Sequence, residues 1–271
     1  MALLAPSPVI DNLILLGGNV KYQLTWRGTC MPVKSYAILS TPRTGSTMLC
    51  SALKLVPGAG QPMEHLNDLI SSKLPSHVRE PLDDSHVQGR LEGVYFPGSR
   101  EVHAQRGQAF GTKMHFSQFA KFYAEQGRIT VRGELVLRSF ERLILMTRRD
   151  RILQALSNLK ANQTKLWASH DPRRTLQTDY QFNPEQSVLV TGTMHDFQRQ
   201  ENAWRSICGR LGLSYLEIFY EDLSNDPPAV LAKVHDWLDL PKEDIQSPTT
   251  VKLSNHTALL AKEAYLRSIG A

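Results

Sequence analysis

Residues 36–56 read YAILSTPRTGSTMLCSALKLV, and this stretch indicates how the chain is organised. It begins with Tyr36-Ala37-Ile38-Leu39, a short apolar run that is typical of a buried strand. It ends with apolar side chains at helical spacing, and Pro57-Gly58 then closes the predicted helix. Residues 41–47, between the two, contain one glycine and several hydroxyl side chains. The stretch therefore predicts a strand, a loop and a helix in direct succession.

Apolar runs and amphipathic helical patterns continue to alternate after this stretch. Further strands are predicted at residues 142–146 and 214–220, and further helices at 150–167, 197–211 and 228–238. Such alternation is typical of βαβ units. We therefore expect an α/β fold with a P-loop-like, mostly parallel sheet flanked by helices. Three tryptophans have apolar neighbours at helical spacing and are expected in the core: Trp167, Trp204 and Trp237.

Length and composition favour one domain at residues 34–271 after an N-terminal extension at 1–33, since 271 residues suffice for one large core. The three cysteines have neither disulfide-framework nor zinc-ligand spacing, which favours a reducing cytoplasmic location. The apolar runs near the N-terminus are too short and too interrupted for a transmembrane segment or a signal peptide. Residues 75–106 are rich in glycine and proline, which is typical of a lid or substrate loop.

The charge balance suits an anionic ligand without requiring one. The chain has 31 Lys and Arg against 26 Asp and Glu, a formal net charge of +5. These basic residues are scattered and are not interleaved with aromatic residues, so no nucleic-acid partner is expected.

The loop at 41–47 is the strongest candidate for an anion site. A loop between a strand and a helix aims free backbone N–H groups and the positive end of the helix dipole at one point. Gly45 permits close approach of the backbone, Arg43 adds a charge, and Ser46 and Thr47 offer hydroxyl donors. A capped strand-to-helix turn would look the same. The nucleoside-triphosphate pattern GxxxxGK[ST] is absent, which disfavours a magnesium-triphosphate site.

The pattern Pro-Arg-x-Gly-Ser-Thr resembles the 5′-phosphosulfate-binding loop of sulfotransferases that use 3′-phosphoadenosine 5′-phosphosulfate (PAPS). The resemblance implies that the donor is held by Arg43, Thr44, Gly45, Ser46 and Thr47. In that superfamily an Arg at the end of a later strand shares the 3′-phosphate with a Ser in the following helix.

Arg148 and Ser157 stand at this spacing. The residues themselves are consistent with it. Asp150 can cap the predicted helix, and Asp150, Gln154 and Ser157 fall on the face opposite its apolar side chains.

Further segments at 58–67, 111–114, 148–167, 203–205 and 218–223 look like the trehalose 2-sulfotransferase-like family, and the resemblance covers about residues 35–260. That family carries Gly-Glu-Pro-x-Glu after the first helix, with two carboxylates at the acceptor. Here Gln61 replaces the first carboxylate and Glu64 keeps the second. The resemblance thus implies Glu64 as general base beside the acceptor, while Gln61 leaves the acceptor open among sugars, glycolipids and other hydroxylated metabolites.

Several roles stay open at this point. A partly closed site would raise the pKa of Glu64, and His65, which is adjacent, is the rival base, with His115 as a third candidate. Lys113 matches the family's Gly-x-Lys and either touches the sulfuryl oxygens or extends from a sheet end. By analogy with late loops of the superfamily, Lys252 closes over the 3′-phosphate. No metal is expected.

Two other functions compete with hydroxyl sulfuryl transfer. One is a phosphate- or nucleotide-binding module that kept the fold and lost catalysis, and the other is a small-molecule kinase on a P-loop fold. Either would bind a phosphorylated ligand at the same loop. A homodimer stays open because relatives in the resembling family can dimerise.

Overall fold

The fold is built on four parallel strands in the order β4-β3-β7-β8. The computed structural model describes residues 13–16, 19–22, 34–64, 66, 109–167, 182–240 and 256–271. The strands of the sheet are β3 (Ser35–Ser40), β4 (Phe110–His115), β7 (Arg142–Thr147) and β8 (Tyr215–Phe219). Two antiparallel hairpins accompany it: β1 (Leu13–Leu16) with β2 (Asn19–Tyr22), and β5 (Ala124–Glu125) with β6 (Arg128–Ile129).

Helices connect and cover the strands. They are α1 (Ser46–Leu53), α2 (Phe116–Tyr123), α3 (Val131–Arg138), α4 (Arg151–Thr164), α5 (Ser187–Leu211), α6 (Tyr220–Asn225), α7 (Pro227–Trp237) and α8 (His256–Ser268). Side-chain caps begin two of the helices that the sequence predicts. Asp150 accepts from the backbone N of Leu153 at 2.9 Å, and Asp226 accepts from that of Ala229 at 3.1 Å.

The central strands are buried on both faces, as their continuous apolar runs require. Tyr36 and Ile38 of β3 pack with α1 and α7 on one side, while Ala37 and Leu39 pack on the other side around Trp204. Successive side chains of a strand point to opposite faces, so one short strand contributes to both cores.

The strand order reverses between β3 and β7. From β3 the chain moves outward to β4, and it then crosses back over β3 to β7 and β8. Ligands of open α/β sheets bind beyond the carboxyl ends of the strands at such a reversal. The loop after β3 and the residues after β7 both lie there.

The predicted α/β class with a mostly parallel sheet is confirmed, and the predicted strands at 36–39, 142–146 and 214–220 correspond to β3, β7 and β8. The helix predicted at 150–167 ends earlier, at Thr164, where Lys165 adopts a left-handed conformation. Of the three tryptophans, Trp204 is fully buried and Trp237 packs partly against the core. The prediction for Trp167 is wrong, because that side chain lies beyond the helix end and is 48% exposed.

Candidate active site

Gly45 is required by the shape of the loop at 41–47. Its φ is +81°, and a Cβ atom there would lie 2.5 Å from the ring of Tyr220. Arg43 also has a positive φ, of 64°. Two left-handed residues this close together fold the backbone sharply just before α1, whose first N–H groups have no partner inside the helix.

Two helices from other parts of the chain hold the start of this loop. The amide of Gln154 in α4 donates to Thr41 Oγ1 at 2.9 Å and to the carbonyl of Pro42 at 2.8 Å. The indole of Trp204 in α5 donates to the carbonyl of Ser40 at 3.1 Å. Gln154 lies on the polar face of α4, opposite its apolar side chains as predicted, but it is fully buried there. The polar face of α4 packs on the loop.

A buried carboxylate completes this support. Glu201 of α5 is 0% exposed, forms an ion pair with Arg151, and accepts from Thr41 Oγ1 at 3.4 Å. Arg205 lies 3.9 Å from its second oxygen. The charge of Glu201 is thus matched by two guanidinium groups beneath the loop.

Three of the residues predicted to bind the donor, Arg43, Arg148 and Ser157, come together at the strand-order reversal. Arg43 Nε donates to Ser157 Oγ at 2.9 Å, and Arg43 Nη1 donates to the carbonyl of Trp167 at 2.7 Å. Arg148, directly after β7, donates to the carbonyl of Arg43 at 3.4 Å. Two motifs more than 100 residues apart in sequence therefore form one basic cluster.

Arg148 is buried in this cluster with donor capacity to spare. It is 7% exposed, and its guanidinium lies 4.4 Å from the centre of the Tyr220 ring. Within the described part of the chain its Nε has no hydrogen-bond partner, and Glu221 Oε1 lies 4.0 Å away. Burial lowers the pKa of Arg148, which the nearby Tyr220, Glu221 and Asp150 oppose. A buried cation with an unmatched donor fits an anionic oxygen.

Glu64 lies at the carboxyl end of β4 in a cluster of donors. Lys113 Nζ forms an ion pair with Glu64 Oε2 and donates to Thr47 Oγ1 at 3.2 Å. The amide of Gln118 donates to Glu64 Oε1 at 2.6 Å, and His115 Nε2 is 3.7 Å from the same oxygen. Lys113 thus connects the loop to Glu64.

This environment lowers the pKa of Glu64, so the predicted rise is wrong. Burial by itself raises that pKa, but His115, Lys113 and the hydrogen bonds from Lys113 and Gln118 outweigh burial. Burial also lowers the pKa of His115 to about 4, against the opposing effect of Glu64. His115 is therefore neutral near pH 7.

The remaining predicted site residues are placed as follows. Thr44 turns inward and donates to the carbonyl of Thr41 at 3.0 Å, and Ser46 is also buried. Thr47 and Gln61 are exposed. His65, Lys252 and the stretch 75–106 lie outside the described residues.

The sequence did not indicate three contacts that the fold makes at the site. Gln154 and Glu201 support the loop, and Gln118 lies beside Glu64. Gln118 is the third residue of α2, a common position for Gln at a helix start, so a capping pattern could have located the helix. No local signal marks the contact with Glu64.

A four-stranded parallel sheet with a glycine loop at its carboxyl edge places the chain in the class of α/β proteins with P-loop-like architecture. A family model described as Stf0 sulphotransferase matches residues 35–265. The chain belongs to this family and is a sulfotransferase enzyme. The trehalose 2-sulfotransferase of Mycobacterium tuberculosis (strain ATCC 35801 / TMC 107 / Erdman) is 27% identical to this chain over an alignment of 229 residues, and the match covers 75% of this chain and 84% of the relative.

Solved structures of sulfotransferases are also similar. The sulfotransferase domain from the curacin biosynthetic pathway has a TM-score of 0.48 and 18% identity, covering 86% of this chain and 83% of that one. A sulfotransferase from Alicyclobacillus acidocaldarius has a TM-score of 0.46 and 13% identity, covering 89% and 94%.

Two negative findings apply to the described residues. Their His, Cys, Asp and Glu side chains form no group of three or more that could hold a metal ion. None of the helices in the same residues combines the length and apolarity that a membrane-spanning segment needs.

Proposed function

We propose that this enzyme transfers a sulfuryl group from PAPS to a hydroxyl of a carbohydrate, a glycolipid or another small molecule, with Glu64 as general base. The unit that does so is a single domain at residues 34–271. PAPS supplies the sulfuryl group, and the acceptor hydroxyl receives it and loses its proton.

The basic cluster supports a donor with two phosphate groups. Arg43 and the backbone N–H groups of 44–47 would hold the 5′ end, where a helix start and a cation coincide. Arg148 and Ser157 would hold the 3′-phosphate, and Lys252 would close over it. The unmatched Nε of buried Arg148 is the feature that fits an anion best.

One observation carries the proposal: Lys113 contacts both Thr47 of the loop and Glu64. This contact supports a single site that contains both the loop and Glu64. A lysine between them also places a positive charge where negative charge develops during sulfuryl transfer.

The low pKa of Glu64 determines how it can act. Glu64 is ionised near neutral pH and can accept a proton, but it is a weak base. A hydroxyl becomes strongly acidic only as its oxygen bonds to sulfur, so we expect Glu64 to take the proton late. Burial of His115 keeps that imidazole neutral, and His115 remains the alternative acceptor of the proton.

The acceptor is proposed by class only. The Mycobacterium tuberculosis relative is named for trehalose. In this chain Gln61 is exposed next to the Glu64 segment and carries no charge, so it can donate as well as accept a hydrogen bond. The Gln61 amide is therefore suited to hydrogen bonding with a neutral hydroxyl of the acceptor.

Thermal-shift measurements test the donor. The purified chain should be stabilised by 3′-phosphoadenosine 5′-phosphate (PAP), the product left after transfer, and not by magnesium-ATP. Stabilisation by magnesium-ATP alone would point to a kinase. PAP binding without sulfuryl transfer to any hydroxylated acceptor would favour the non-catalytic module.

Turnover of Glu64→Gln tests the base. This variant should bind PAP as the wild type does and lose most of its kcat. Full activity in the variant would move the base role to His65 or His115.

A further inference from the structure

Gln118 has two hydrogen bonds that together connect a helix start to Glu64. Helix α2 begins directly after β4, and Gln118 is its third residue. Its Oε1 accepts from the backbone N of His115 at 3.3 Å. Its Nε2 donates to Glu64 Oε1 at 2.6 Å, across 54 residues of sequence.

The chemistry of the first bond decides the direction of the second. A backbone N–H can only donate, so the oxygen of the Gln118 amide must face His115. The NH₂ group then has to face Glu64. The start of α2 therefore presents a fixed N–H donor to a carboxylate oxygen. An ionised carboxylate can only accept hydrogen bonds, so this donor suits it.

The two oxygens of Glu64 are held by different elements. Oε2 pairs with Lys113 of β4, and Oε1 pairs with Gln118 of α2. His115 of β4 lies 3.7 Å from this carboxylate, and Cys50 of α1 interacts with it through space by charge. The Glu64 side chain still keeps 24% of its surface exposed, so part of it stays open while both oxygens are restrained.

We infer that Gln118 is a positioning residue for sulfuryl transfer. It holds the Glu64 carboxylate in the orientation that keeps Oε2 paired with Lys113 and leaves the exposed edge of the carboxylate open to the acceptor hydroxyl. The inference rests on the proposed role of Glu64 as base. Gln118 acts through Glu64 and needs no contact with either substrate.

Gln118→Glu tests this with almost no change of shape. A glutamate keeps an oxygen for the His115 N–H, and Glu suits the third position of a helix as well as Gln does. It replaces the donor facing Glu64 by a second carboxylate, and like charges repel and raise each other's pKa. We expect kcat to fall about tenfold or more and the acid limb of kcat/KM to move up by about one pH unit, with PAP affinity unchanged.

Gln186→Glu is the matched control. Gln186 also accepts from a backbone N–H three residues earlier, that of Asn183 at 3.4 Å, at the start of an exposed 3₁₀ turn. The same substitution there should leave kcat and the pH profile as in the wild type. Gln118→Met removes the donor to Glu64 and the acceptor for the His115 N–H without adding a charge, and it should lower kcat less than Gln118→Glu does.

The outcomes separate the two proposals. Wild-type kcat and pH profile in Gln118→Glu, while Glu64→Gln is inactive, would overturn the role of Gln118 alone. Full activity in Glu64→Gln would overturn the base assignment itself. If either Gln118 variant loses PAP affinity together with kcat, the effect is structural and the positioning role is refuted.

Discussion

Replacing Arg148 by alanine gives the sharpest test of the donor site. Arg148 is 7% exposed, lies at the strand-order reversal, and has an Nε without a hydrogen-bond partner in the described residues. A hydrogen bond from a charged donor contributes about 1.5–3 kcal/mol, and a guanidinium makes one or two such bonds to a phosphate. The loss of one such bond, about 1.5–3 kcal/mol, corresponds to a PAP Kd about 10-fold to 140-fold weaker, and the loss of a second bond weakens binding further.

Folding should survive this change. Without a ligand, the alanine variant loses the cation–π contact of Arg148 with Tyr220, which contributes about 0.5–2 kcal/mol. It also loses one hydrogen bond to the carbonyl of Arg43. Isothermal titration with PAP measures the affinity, and thermal unfolding without PAP checks the fold. Arg148→Lys keeps the charge but not the planar fork, so its affinity should lie between those of the alanine variant and the wild type.

Arg149→Ala is the control, because it removes the same charge one residue away. Its side chain is 51% exposed and pairs with Asp222 on the surface. PAP affinity should stay within about threefold of the wild type. Equal losses in the two variants would show that net charge, and not the buried guanidinium, attracts the ligand. An unchanged Kd in folded Arg148→Ala would refute the assignment of the 3′-phosphate.

Three further predictions concern stability and reactivity. Gly45→Ala should lower the free energy of unfolding by about 1 kcal/mol or more in urea titrations and weaken PAP binding, because φ is +81° and Tyr220 blocks the Cβ. The folded state lowers the His115 pKa from 6.5 to about 4, so the unfolded chain binds this proton more readily than the folded one. Up to about 3 kcal/mol of the free energy of unfolding is therefore present above pH 6.5 and is lost as the pH falls toward 4. The His115→Asn variant should lose less stability over this pH range in unfolding titrations. Burial raises the pKa of Cys50 to about 12 and of Cys208 to about 11, so mass spectrometry should find neither alkylated in the native protein and both alkylated after unfolding.

The amino-acid sequence by itself indicated the fold class, and the resemblance of its motifs to a known family predicted the donor side of the candidate site. A buried strand, a glycine loop and a helix are contiguous, so the shape of the loop follows from local residues such as Gly45. Parallel strands end at one edge, so an arginine directly after a second strand comes to the same place. The grouping of Arg43 with Arg148 and Ser157 came from the resemblance to PAPS-dependent sulfotransferases, and these local features agree with it.

Only the tertiary structure showed that the polar face of α4 is buried against the loop and that the pKa of Glu64 is lowered. A helical wheel separates polar from apolar faces, but Gln154 is buried because its polar face packs on another polar element. The pKa of Glu64 depends on its burial and on His115, Lys113 and Gln118, which lie about 50 residues further along the chain. A local pattern fixes backbone shape, whereas burial and charge depend on neighbours that distant strands and helices supply.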